Sequence, residues 1–150
     1  MVAQLAKARN GPRLDYQILR YPSTTMQPEP DYESHRLYGN GEFFVSRQDK
    51  AWQRSLYFDD PAHQVLAPRS SPILAEDLSG LAPALIVTAG FDMLRDAAKH
   101  YATRLIEADV DTEYRCFSST IHGFLSLSGL LDAGKEGLAF VAARVKQVLG

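Results

Sequence analysis

Residues 84–89, ALIVTA, form an unbroken apolar run that is rich in β-branched side chains and bounded by Pro83 and Gly90. The run is too short for a helix and does not alternate, so it reads as a strand buried on both faces, the pattern of a parallel sheet covered by helices. After Gly90, the residues Leu94, Ala98, Tyr101, Leu105 and Ala108 recur at helical spacing as far as Asp109. Thr112 to Phe117 (TEYRCF) reads as a further strand, and Leu138, Val141, Val145 and Val148 mark a last amphipathic helix. Upstream, Val2 to Arg9 reads as the end of a helix stopped by Asn10, Gly11 and Pro12. Leu14 to Leu19 reads as a strand with Leu14, Tyr16 and Ile18 on one face, closed by Tyr21-Pro22. This order predicts an α/β fold: a mostly parallel sheet of about three strands, flanked by helices and joined by a right-handed crossover.

Between the first two strands, residues 22–45 keep no period and carry several prolines and a Gly39-Asn40-Gly41 turn. Ser46 to Asp49 has the form of a capping box, and Ala51, Trp52, Ser55 and Leu56 suggest a short helix. A second proline-spotted stretch, 59–83, follows. Connections this long inside a domain are uncommon unless they form a binding surface, so 22–83 is a candidate substrate cover; ordinary surface chain is the other reading that loop statistics allow.

The composition, 45% hydrophobic and 23% charged over 150 residues, is that of a globular chain able to bury a core. Sixteen basic and eighteen acidic residues leave a formal charge of -2 with no run of either sign, which argues against nucleic acid as a partner. The single cysteine, Cys116, allows no internal disulfide, and histidines at 35, 63, 100 and 122 have no metal-ligand spacing. No metal or cofactor is expected. No apolar run reaches secretory or membrane-spanning length, so neither export nor a membrane partner is expected, and a cytoplasmic location is the simplest reading.

In open parallel sheets, ligands bind beyond the carboxyl ends of the strands. Two titratable residues fall at that edge: Asp92, after the strand ending at Ala89, and His122, after the strand ending at Phe117. The strands should be neighbours, about 4.8 Å apart, so the two side chains can meet. An aspartate that accepts from one imidazole nitrogen orients the ring as a general base. Asp92 could equally be a cap for the helix that follows, and His122 a satisfied structural histidine.

The stretch from Leu81 to Phe124 resembles the acid-to-histidine segment of the bacterial hormone-sensitive-lipase-like esterases, of the α/β-hydrolase fold. The resemblance is carried by Gly90-Phe91-Asp92, Leu94-Arg95-Asp96, Glu113-Tyr114-Arg115 and His122-Gly123-Phe124, and extends to SPILAEDLSGL at 71–81 and NGPRLDYQILRYP at 10–22. It implies a serine carboxylesterase acting on short-chain acyl esters, with Asp92 as the triad acid and His122 as the base, 30 residues later. Met93 and Ala97 depart from the family's usual proline and glutamate, and Asp96 is expected to be a structural partner rather than the acid.

The resemblance also implies an oxyanion loop of the HGGG type and a GDSAGG elbow ahead of the helix whose tail is VAQLAKARNGP. Neither these nor any G-x-S-x-G occurs in the 150 residues. Ser118, Ser119, Ser126 and Ser128 lack the elbow pattern, and Cys116 reads as a small buried residue. The expectation is therefore the C-terminal half of an α/β-hydrolase, with residues 1–150 a partial domain that is inactive alone. A small acyl ester would be its substrate only if the missing half were supplied. The first strand, robbed of an outer neighbour, is expected to self-associate into a homo-oligomer. A catalytically dead interaction module is the alternative, and a small α/β binding domain unrelated to hydrolases leaves the Asp92–His122 spacing without a reason.

Overall fold

A computed structural model describes residues 1–28 and 30–150, apart from the side chains of Pro61 and Leu149. Strand β2 (Ala84–Phe91) lies at the centre of a three-stranded parallel sheet, between β1 (Gln17–Arg20) and β3 (Thr112–Ile121). As its uninterrupted apolar sequence requires, β2 is buried from Ala84 to Gly90. Its side chains alternate between two cores. Ala84 and Ile86 pack with Ala3 of helix α1 (Val2–Ala8) and with Ala98, Tyr101, Ala102 and Leu105 of helix α5 (Arg95–Glu107). Leu85, Val87 and Ala89 face Phe117, Phe124 and Leu125, with Phe140 and Val141 of helix α6 (Asp132–Leu149) closing that side. Helices therefore cover both faces, and the α/β reading holds.

Both predicted helix ends are capped without glycine in the left-handed position. Asn10 after α1 has φ 47°, and Gly11 N–H returns to the Ala6 carbonyl at 2.8 Å. Asp109 after α5 has φ 57°, and Val110 N–H returns to the Leu105 carbonyl at 3.0 Å. These are Schellman closures, in which the chain turns back to satisfy the last free carbonyls.

The first strand is shorter than expected and begins later. Its ladder to β2 runs from Gln17↔Ala84 to Arg20↔Val87, and a bend at Asp15 separates Leu14 from the strand. Leu14 consequently packs in the α1–α5 core while Tyr16 packs in the opposite one, so the two do not share a face. Ile18 pairs with Leu85 but stays 40% exposed, because α6 covers β3 and β2 and does not extend over β1. β2 and β3 run beyond their predicted ends at Ala89 and Phe117, to Phe91 and Ile121. The added residues of β3, 118–121, carry three hydroxyls, which is why apolar patterning did not reach them.

The segment 22–83 holds helices α2 (Glu33–Tyr38), α3 (Arg47–Tyr57) and α4 (Pro61–Gln64) and a single 3-10 turn at Pro72–Leu74. The capping box at α3 is formed: Asp49 N–H donates to Ser46 Oγ at 3.0 Å, and Ser46 N–H donates to Asp49 Oδ2 at 2.9 Å. Helix α2 was not legible, because six residues are too few to establish a period. The segment is tied to the body by polar contacts. The Arg104 guanidinium donates to the Ile73 and Ala75 carbonyls, and Ser34 Oγ donates to the Met93 carbonyl at 3.1 Å. No helix among the described residues is long and apolar enough to cross a membrane.

Candidate active site

At the carboxyl edge of the sheet, Asp92 follows β2 directly and His122 follows β3 directly. Their meeting depends on an irregularity. Ala89 pairs with Phe117, but Phe91 pairs with Ile121, so β3 spends four residues where β2 spends two. In unbroken register Thr120 would stand opposite Asp92; the two extra residues bring His122 there instead. Thr120 Oγ1 donates to the Phe117 carbonyl at 2.8 Å across the bulge. Gly90 makes the bulge possible: a Cβ at this position would lie 1.9 Å from the Ser118 carbonyl oxygen. Bulges at strand ends commonly re-aim a side chain in this way.

His122 Nδ1 lies 2.8 Å from Asp92 Oδ2. An ionised carboxylate can only accept, so Nδ1 carries the hydrogen and Nε2 is left as the nitrogen available to another group. Asp92 is 1% exposed, and its second oxygen, Oδ1, accepts from Leu94 N–H at 2.9 Å. One Asp92 oxygen thus closes the turn ahead of α5, whose N-cap is Leu94 rather than Asp92, and the other meets the imidazole. The turn is completed by Arg95 N–H donating to the Asp92 carbonyl at 3.1 Å, with Met93 buried where the family usually has proline. A buried carboxylate held by two donors has little freedom to swing away from its histidine.

Around this pair the residues sort by structure. Asp96 does not touch His122; it accepts from Arg95 Nε at 2.8 Å and from Ser34 N–H at 2.8 Å. Burial pushes the Asp96 carboxyl upward, but the Arg95 and Ser34 hydrogen bonds outweigh it and hold the group below the usual aspartate range. Arg95 also donates to the Gly90 carbonyl at 2.9 Å, which braces the end of β2 against α5. Cys116 is half-buried rather than buried, since β3 is an edge strand. It stands in register with Thr88, on the α5 side of the sheet. Serines 118, 119, 126 and 128 make no hydrogen bond to His122 among the described residues. Among those residues, no group of three or more His, Cys, Asp or Glu side chains is placed to hold a metal ion.

Sequence reasoning missed the aromatic surroundings of His122. The Tyr21 ring lies 4.5 Å from the imidazole, centroid to centroid, and the Phe44 ring stacks on it at 6.3 Å and 13°. Phe43 in turn stacks on Phe91 at 5.4 Å. The Tyr21-Pro22 pair marked a strand end, and nothing local indicated that either ring reaches the site.

A buried aspartate after the central strand and a histidine after the next one thus meet at the carboxyl edge of the sheet. Residues 1–126 match the sequence profile of the alpha/beta hydrolase fold. The chain belongs to this family, on its hormone-sensitive-lipase-like esterase branch. It is 44% identical over 141 residues to the carboxylic ester hydrolase LipN of Mycobacterium tuberculosis, a match covering 91% of this chain and 37% of that protein. It is 32% identical to an ethyl acetate hydrolase of Pseudomonas putida, over 97% of this chain and 45% of that one. Among solved structures, an esterase of Pyrobaculum calidifontis superposes with a TM-score of 0.91 at 34% identity, covering 97% of this chain and 47% of its own. A thermostable carboxylesterase from a metagenomic library gives 0.93 at 31%, covering 99% and 50%. The chain therefore spans about half, or less, of the length of these relatives.

Proposed function

We propose that this chain supplies the acid and the base of a serine carboxylesterase acting on short-chain acyl esters, and corresponds to the C-terminal part of such an enzyme. The observation that carries the reading is the 2.8 Å contact between Asp92 Oδ2 and His122 Nδ1 at the carboxyl edge of the sheet. In this role His122 Nε2 takes the proton of an attacking serine hydroxyl and later returns it to the departing alkoxide. Asp92 holds the ring and stabilises the imidazolium formed between those steps. The names of the relatives, an ethyl acetate hydrolase among them, support a small ester as substrate.

Attack also requires a nucleophile and donors for the developing oxyanion, and loss of one such donor costs about 3–4 kcal/mol of transition-state stabilisation. The 150 residues hold no nucleophile elbow, so both must come from outside them. On this reading the chain alone is inactive. Segment 22–83 serves as part of the substrate cover, a role supported by Phe44, which it places against His122. The test is hydrolysis of a p-nitrophenyl acyl ester by the chain alone and mixed with a separately produced segment bearing the GDSAGG elbow. The expected result is background turnover alone, equal to that of a chain with both Asp92 and His122 changed to alanine, and turnover in the mixture that H122A abolishes. Hydrolysis by the chain alone above the double variant, or a mixture indifferent to H122A, counts against the proposal.

A second reading, an association module without catalysis, is favoured by β1: it has no strand on its outer side among the described residues, and its own Ile18 is exposed.

A further inference from the structure

Four residues other than glycine have left-handed backbone among the described residues: Asn10, Tyr21, Phe44 and Asp109. Asn10 and Asp109 close helices, and their residue types tolerate the conformation. Tyr21 (φ 37°) and Phe44 (φ 81°) close no helix, and a bulky aromatic is a poor choice for such a position. They come from different parts of the chain, one after β1 and one in the excursion before α3. Yet both place a ring on the same imidazole, at 4.5 Å and 6.3 Å. Strained backbone persists only where surrounding structure over-determines it, and it gathers at functional sites.

Each residue's backbone is held independently. Tyr21 N–H donates to the Val87 carbonyl at 2.6 Å, one step beyond the β1 ladder, and its ring also meets the fully buried Phe124 edge-on at 6.1 Å. Phe44 follows Phe43, whose ring is fixed between Tyr38 and Phe91, inside a turn closed by the Asn40–Ser46 bridge. A histidine tied to one carboxylate oxygen can still swing off it by rotation about its own side-chain bonds, and ring contacts on its faces restrict that rotation.

We propose that Tyr21 and Phe44 are positioning residues for His122, a pair of rings held by left-handed backbone that keep Nδ1 on Asp92 and Nε2 turned to the reacting side. This rests on the reading of His122 as the general base. The rings touch neither nucleophile nor substrate in this role; they act through the imidazole.

The test is nitrogen-15 NMR of the His122 ring in the 150-residue chain, which reports which nitrogen carries the hydrogen. Glycine suits both backbone positions, so Tyr21→Gly and Phe44→Gly remove a ring without adding strain. Phe44 is 68% exposed, so its variant opens no core and keeps the test valid should Tyr21→Gly unfold. The parent should show mainly the Nδ1–H form, with a small but measurable Nε2–H fraction. Each glycine variant should shift the ratio toward Nε2–H by about two- to tenfold, the value of one aromatic contact, and Tyr21→Phe should behave as the parent. Folded glycine variants with the parent's nitrogen shifts, or a Tyr21→Phe variant that loses them, would overturn the proposal. Asp92→Asn in the same experiment tests the underlying reading separately: if it leaves the ring unmoved, the acid–base assignment fails whatever the aromatic variants do.

Discussion

Lys50, on the inner side of α3, is 6% exposed, and its ammonium has no carboxylate partner in an ion pair among the described residues. Its Nζ donates to Ser23 Oγ at 2.8 Å and lies 3.2 Å from Met26 Sδ. Burial, with a smaller contribution from the like charge of Arg54, pushes its pKa down from 10.5 to about 8. That difference corresponds to about 3 kcal/mol of penalty on the folded state, of which about 2 should be recovered on removing the charge, since the hydrogen bond to Ser23 is lost with it. The sign follows from proton counting. Below pH 8 both folded and unfolded chains carry the charge, and the whole penalty acts. Between about 8 and 10.5 the folded chain has released the proton and the unfolded chain has not, so stability rises with pH and the penalty fades. Lys50→Met keeps the stem and removes the charge. It should therefore stabilise the chain by about 2 kcal/mol near pH 7 and by little above pH 10. Burial raises the pKa of Tyr16, Tyr32, Tyr101 and Tyr114, which lowers stability at high pH, but these groups are common to both chains and cancel in the comparison. Urea denaturation of parent and variant at the two pH values measures the difference. A variant no more stable than the parent near pH 7, or a gain that does not change with pH, would refute the reasoning.

Gly90→Ala should be severely destabilising, because its Cβ would need to move about 1.5 Å from the Ser118 carbonyl oxygen, 1.9 Å away, before reaching an ordinary contact. Overpacking of about 1–3 kcal/mol, together with about two ladder hydrogen bonds at about 1 kcal/mol each, gives a loss of about 3–5 kcal/mol. An unchanged urea midpoint would show that the β3 bulge yields freely. The open edge of β1 should drive self-association, with Ile18→Lys weakening it by placing a charge on the unpaired strand itself. Light scattering that finds the parent monomeric at every working concentration removes the association reading.

The central strand, the helix after it and the placement of Asp92 and His122 beyond strand ends were legible because each depends on neighbours in sequence. An apolar run, a 3.6-residue period and a residue just past a strand end are local signals, and the resemblance of Leu81–Phe124 supplied roles for the polar ones. The capping box at Ser46 belongs with these, since all its atoms lie within one turn. What the tertiary structure decided involves strands and rings that meet from distant segments. The two extra residues in β3 set the register that brings His122 opposite Asp92, and no pattern within residues 112–121 records which residue of β2 each will face. Tyr21 and Phe44 converge on His122 from separate connections, and Lys50 is buried beside Ser23 only once the excursion has folded back onto the end of β1. Local sequence specified which elements form and which residues could do chemistry; cross-strand register and close packing, which depend on the whole fold at once, determined which of those residues touch.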